Sequence, residues 1–133
     1  MPTSFTIDPD RRVVFFRVSG VMTIAGVEET RRQVRDAPLF DPTYDQLVDI
    51  REVTDVRAGR QQIWKSAAQS VFGPKSRVAV VVTRDRLLIF GLARMYELFR
   101  NVGDPGRVRL FSTVEEAEAW LARARKEMDP TGS

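Results

Sequence analysis

Five consecutive apolar residues, Val78-Ala79-Val80-Val81-Val82, leave this chain few folds to choose from. A strand with one face in water alternates apolar and polar side chains. A run with no polar side belongs to a strand covered on both faces, which requires a parallel sheet with helices above and below it. The flanking residues agree. Thr83-Arg84-Asp85 leads into a helical pattern from Arg86 to Arg100 that ends near Asn101 and Gly103, and Val108 to Phe111 reads as the strand that follows. Upstream, Gln46 to Ile50 reads as a short strand followed by a polar loop. Ile63, Trp64, Ala67, Ala68, Val71 and Phe72 then recur at steps of three and four until Gly73-Pro74 stops the helix.

The N-terminal third opens differently. Phe5 to Asp8 and Val13 to Ser19 are β-branched and aromatic runs joined by Pro9-Asp10-Arg11-Arg12, the composition of a turn, and they predict an antiparallel hairpin. Val14, Phe16 and Val18 share one face of the second strand, with Val13 and Phe15 on the other, so this strand belongs inside the sheet. Gly20 is expected to end it. Thr23 then caps a helix carrying Ile24, Val27, Val34 and Ala37, with Pro38 as its stop. At the C-terminus, Ser112 and Thr113 each precede a glutamate by three residues, giving overlapping capping boxes ahead of Val114, Ala117, Trp120, Leu121 and Ala124. The fold class predicted is α/β: an N-terminal β-hairpin followed by repeated βα units, forming a five-stranded mixed sheet with about four helices. Residues 1–127 form one domain and residues 128–133 a flexible tail.

Composition then removes whole classes of chemistry. The chain has no cysteine and no histidine, which excludes thiolate and imidazole nucleophile systems and the commonest nitrogen ligands for metals. It contains no GxxxxGK[ST] or GxGxxG turn, so no nucleotide cofactor is expected, and no metal or other cofactor either. The net charge is +3, but arginines are interleaved with acids, as in Glu28-Glu29-Thr30-Arg31-Arg32, which describes solvated helix faces and no nucleic-acid footprint. No run is long and apolar enough for a membrane span, and Met1-Pro2-Thr3-Ser4 lacks the features of a secretory signal, so a cytoplasmic location is expected.

Three groups of residues are candidates for function. Asp49, Arg51, Thr54, Thr83, Arg84, Asp85 and Ser112 fall where strands end and helices begin, the edge at which open α/β sheets take ligands. The same residue types also serve as helix caps and loop hydrogen-bond partners. In the helix from Arg86 to Arg100, a core face of Leu88, Ile89, Leu92, Met95, Tyr96 and Phe99 leaves Leu87, Phe90 and Leu98 over, near Gly91. Either a neighbouring element covers these residues or they form an interface, with Leu87, Phe90, Gly91, Arg94 and Leu98 as its contacts and Arg94 and Glu97 pairing across its rim. A third possibility is an apolar pocket beside that helix, lined by Phe90, Met95, Tyr96 and Phe99. Trp64 and Trp120 read as core anchors, with a ligand platform as the other reading.

Several segments, taken in order, resemble a known family. Val18-Ser19-Gly20-Val21-Met22-Thr23, the Asp49 strand end, Arg77-Val78-Ala79-Val80-Val81, Gly91-Leu92-Ala93-Arg94-Met95-Tyr96-Glu97 and Phe111 to Ala117 with Trp120-Leu121 are similar to the bacterial SpoIIAA-like proteins, relatives of the STAS and CRAL-TRIO domains. The resemblance implies a mixed sheet with helices packed on it and a non-enzymatic interaction or regulatory module, here expected to self-associate as a homodimer. Its CRAL-TRIO side implies instead a small carrier for a lipid or other apolar ligand. Signalling STAS domains carry an Asp-Ser-Ser-Gly-like phosphoacceptor, and a gap-free alignment from Leu47 puts Arg57, Ala58, Gly59 and Arg60 at that place. The usual hydroxyl is therefore missing, with Thr54 the nearest substitute.

Overall fold

The computed structural model describes residues 3–59, 61–63, 65, 71–103 and 105–128. The hairpin forms as its turn chemistry requires. Strand β1 (Thr3–Asp8) pairs antiparallel with β2 (Val13–Thr23), and Asp8 Oδ1 closes the turn by accepting the N–H groups of Asp10 at 3.0 Å and Arg11 at 3.1 Å. Helix α1 (Ile24–Arg35) starts at the expected cap, where Thr23 Oγ1 accepts the Gly26 N–H at 3.1 Å. Next come β3 (Asp45–Arg57), β4 (Val78–Val81), α2 (Leu87–Arg100), β5 (Val108–Phe111) and α3 (Val114–Met128). Of the two overlapping capping boxes before α3, the Thr113–Glu116 pair is made in both directions: Thr113 Oγ1 accepts the Glu116 N–H at 3.2 Å and donates to its carboxylate at 3.1 Å. Residues 61–63 and 65 are helical, while Trp64, Ala67 and Ala68 of the segment expected to be a helix lie outside the described residues, as does the tail from residue 129.

The strands stand in the order β1-β2-β3-β4-β5, with only the first pair antiparallel, so the mixed sheet of five strands is as expected. Right-handed crossovers between neighbouring parallel strands put α1 and α2 on the same face. Along β4 the alternation is sharp. Val78 and Val80 pack toward Ile89 and Ala93 of α2, whereas Ala79 and Val81 pack on Ala117, Trp120 and Leu121 of α3. All four β4 residues are buried, and the strand lies between two parallel neighbours, as the unbroken apolar run requires.

Two sequence expectations are corrected. Gly20 does not end β2: it adopts φ 70° at a register shift, and the strand continues to Thr23. The third strand is not confined to residues 46–50 but runs from Asp45 to Arg57, so Thr54 lies on a strand and not in a polar loop. Both errors have one cause. Between Arg17 and Ser19, and again between Gly20 and Val21, β3 carries an extra residue opposite β2. Each extra residue shifts the side-chain alternation, so Val48, Ile50, Val53 and Val56 all serve the core on the α1–α2 side although the last two steps are three residues long. A search for period two stops at Ile50.

The start of β3 carries a buried polar anchor that sequence patterning did not single out. Asp45 is 2% exposed. Its carboxylate accepts the Arg77 N–H at 2.9 Å and Arg125 Nε at 3.3 Å, while Arg125 Nη2 donates to the Thr43 carbonyl at 2.7 Å. These bonds tie the last turns of α3 to the strand edge below it. Burial pushes the Asp45 carboxyl above its ordinary range, against the pull of Arg77 and Arg125. Removing one partner of a buried pair leaves the other uncompensated, so Asp45→Ala is expected to destabilise the fold by about 2 to 3 kcal/mol. The check is the midpoint and slope of urea unfolding, where a lower midpoint at unchanged slope is the expected result.

Candidate functional site

The polar residues expected to converge at the strand ends sit on β3 and in the turns before α2 and α3. Asp49, at the point where β3 passes its last β4 partner, is gripped by the next arginine on its own strand: Arg51 Nε and Nη2 donate to its two carboxylate oxygens at 2.9 and 2.8 Å, and the Arg51 N–H adds a third bond at 3.1 Å. Thr54 is exposed on β3. Arg84 and Asp85 are exposed in the turn before α2. The Thr83 hydroxyl is the main influence holding the Asp85 carboxyl below its usual range, and Arg84 lies over the Phe90 ring at 5.7 Å. Ser112 is exposed ahead of α3. The acids are thus satisfied by their own neighbours, as caps and loop partners would be.

Helix α2 turns out to have two distinct faces. At about 100° per residue, Ile89, Leu92, Ala93, Tyr96 and Arg100 fall in one stripe, and this stripe faces inward. Leu88, expected in the core, lies at the edge of the stripe and is 64% exposed. Phe90, expected at the interface, instead packs against the core cluster beneath Arg84. Leu87 and Leu98 point outward at 80% and 59% exposure, Gly91 and Arg94 lie between them, and Val102 extends the strip. Among the described residues, nothing lies within 4 Å of the place a Cβ on Gly91 would occupy. Arg94 does not reach across a rim: it pairs with Glu97 one turn along the same helix.

Beneath α1 and α2 the layers fail to close. A cavity of about 270 Å³ lies between them and the sheet. Its floor is Val18, Val48, Ile50, Val53, Val78 and Val80, and its roof includes Val27 and Val34 of α1 with Ile89 and Leu92 of α2. Of the four residues expected to line an apolar pocket only Tyr96 does so. Phe90, Met95 and Phe99 are half-buried on the flanks of α2, turned away from the inward stripe by its rotation. The residues that sequence reasoning missed are Thr3, Thr30, Arg31 and Arg100. An amphipathic helix gives no signal that its inner face meets a gap rather than another side chain.

The electrostatics of the two regions differ. Burial works to raise the Asp49 carboxyl, but the hydrogen bonds from Arg51 outweigh it and hold the group below its ordinary value of 3.8. A carboxyl lowered in the folded state adds stability above its unfolded value and loses that contribution as the pH falls through the folded one. Arg51 is 37% exposed, so solvent screens part of the pair. Asp49→Asn is expected to cost about 1 kcal/mol near neutrality and to flatten the loss of stability below about pH 4, measured by urea unfolding across an acid series.

With this geometry in view, the likeness to known proteins is specific. The chain is similar to an uncharacterized protein of the DUF3478 family with a SpoIIAA-like fold, from Shewanella loihica PV-4. Its crystal structure superposes with a TM-score of 0.60 at 20% identity, covering 90% of this chain and 93% of that one, which establishes a shared fold. No curated protein matches. The family description that matches is SpoIIAA-like, over residues 13–122. That span runs from the first residue of β2 into α3, across the cavity and both helices that roof it, and the chain belongs to the SpoIIAA-like family.

Proposed function

We propose that this protein is a non-enzymatic SpoIIAA-like module that binds a small apolar ligand between the sheet and helices α1 and α2. The observation that carries the reading is the cavity of about 270 Å³. Protein interiors pack like organic crystals, with few voids larger than a water molecule. This one equals the liquid volume of about nine waters, at roughly 30 Å³ each. Its largely valine, isoleucine and leucine lining offers water few hydrogen bonds, and a dry apolar void of only about 150 Å³ suffices to take up benzene. Filling the space recovers dispersion contacts that the bare walls lack. The residue types argue against catalysis: the chain has no histidine, and Asp49 is held by Arg51. A cysteine-free chain suits the reducing cytoplasm.

A second reading, self-association through α2, is supported by the exposed strip of Leu87, Leu88, Leu98 and Val102. Each large apolar side chain left in water forgoes roughly 1.5 to 3 kcal/mol. A two-fold axis through the strip would cover it with a copy of itself, and Gly91 allows close approach of the helices. The two roles are compatible, because the strip and the cavity lie on opposite faces of one helix.

Protein purified from its own host is expected to retain an apolar molecule, seen as an added mass in a native mass spectrum and recovered by organic extraction. A bare protein mass after gentle purification would remove the carrier reading. For self-association, sedimentation at high micromolar concentration is expected to show a dimer that Leu87→Asp and Leu98→Asp dissociate without loss of helical signal. A monomeric parent protein would leave the strip without that role.

A further inference from the structure

The polar side chains of the described lining are few, and most of them are engaged. Thr23 Oγ1 caps α1, and Thr30 Oγ1 donates to the Gly26 carbonyl one turn back at 3.0 Å. Gln46 Nε2 donates to Ser76 Oγ at 3.4 Å. Arg31 and Arg100 each have a partner. Thr3 Oγ1 has no hydrogen-bond partner among the described residues, but it is closed off even from water, so a ligand atom does not reach it. The group that remains is the hydroxyl of Tyr96.

Tyr96 is half-buried in the inward stripe of α2, and among the described residues its hydroxyl has no hydrogen-bond partner. Burial is the main influence on this group and raises it above its ordinary value of 10.0, against the pull of Arg100, Arg31 and Arg107. A phenol so placed stays protonated through the neutral range and keeps a hydrogen to donate. The influences that oppose burial are all cationic. The Arg100 guanidinium lies 6.0 Å from the centre of the Tyr96 ring, and Arg31 acts on the hydroxyl from α1. Positive charge draws the oxygen end of the O–H dipole and turns the hydrogen away, so the group is set to donate rather than to accept. A donor facing apolar walls forgoes the hydrogen bond it makes in water, and an acceptor on the ligand restores it. An ionised acceptor would surrender its hydration in a space whose arginines are already engaged, whereas a neutral carbonyl surrenders far less.

We propose that the ligand is a neutral apolar molecule with a carbonyl-type oxygen, and that Tyr96 selects it by donating its hydroxyl hydrogen to that oxygen. This rests on the apolar-ligand reading of the cavity and adds the chemistry of the recognised group. Acetophenone and α-methylstyrene have nearly the same shape, with a methylene in place of the carbonyl oxygen in the second, so titration calorimetry with both separates the two claims. Both are expected to bind the unaltered protein. Tyr96→Phe is expected to weaken acetophenone about fivefold, the scale of one neutral hydrogen bond, and to leave α-methylstyrene unchanged. The carbonyl stretching band of bound acetophenone is expected below its position in an alkane, and Tyr96→Phe is expected to return it there. Thr3→Val is expected to change neither affinity, and a loss confined to that variant would overturn the assignment to Tyr96. If Tyr96→Phe leaves acetophenone unweakened, or weakens both probes equally, the carbonyl proposal is overturned and the apolar-ligand reading stands. A lower urea midpoint for Tyr96→Phe would show that the hydroxyl serves the fold, with the same consequence. Benzoate binding as tightly as acetophenone would overturn the neutral class. Failure of both uncharged probes to bind would overturn the two readings together.

Discussion

The parallel pairing of β2 with β3 is the constraint from which the remaining geometry follows. These two strands stay in register from Val13 and Asp45 to Thr23 and Arg57, whereas β4 accompanies β3 only from Gln46 to Asp49. Beyond Asp49 the sheet narrows to a two-stranded arm. An arm of two strands is marginal in water unless one face is covered. The extra residues in β3 turn Val53 and Val56 to the same side as Val48 and Ile50, which gives the arm an apolar face. Arg86, at the start of α2, reaches back to it and donates to the Val53 carbonyl at 3.1 Å. The helix is thereby tied at one end to the arm and at the other, through Asn101, to β5.

A helix anchored at both ends cannot simply settle onto the sheet wherever its side chains fit best. Valine dominates the floor, with Val18, Val48, Val53, Val78 and Val80, beneath Val27, Val34, Ile89, Leu92 and Ala93. Short side chains on elements held apart leave a gap. On the opposite face, α3 carries Trp120 and Leu121 onto Ala79 and Val81, and Phe111 stacks near Trp120 with ring centres 5.5 Å apart. One side of the sheet is closed by Trp120 and Leu121, and the other stays open above a floor rich in valine. The asymmetry places the cavity between sheet and helices instead of at the strand ends, where α/β proteins commonly hold their ligands.

The buried acids serve positions more than chemistry. Asp45 binds the end of α3 through Arg125, and Asp49 is held by Arg51 on its own strand. Each satisfies hydrogen-bonding groups that burial would otherwise leave costly. Arg31 and Arg100 bring charge to the cavity wall, which is otherwise mostly apolar.

The sequence by itself determined the order of elements, the hairpin, the caps at Thr23 and Thr113, the doubly covered strand at Val78 and the absence of imidazole and thiol chemistry. These are local properties: they depend on residues within a turn or two of one another, and periodicity reports them directly. It also set Leu87, Phe90 and Leu98 apart from the core face of α2, because helix rotation alone decides that relation, and left open whether a neighbour covers them. Only the tertiary structure decided where β3 ends, since the extra residues that carry it past Ile50 are defined by its register with β2. It alone decided that Phe90 packs inward and that Arg31 and Arg100, from segments far apart in the chain, meet at one cavity. A side chain's direction is written in its own element, but whether it meets a neighbour or an empty space depends on the volumes and anchoring of elements it shares no periodicity with.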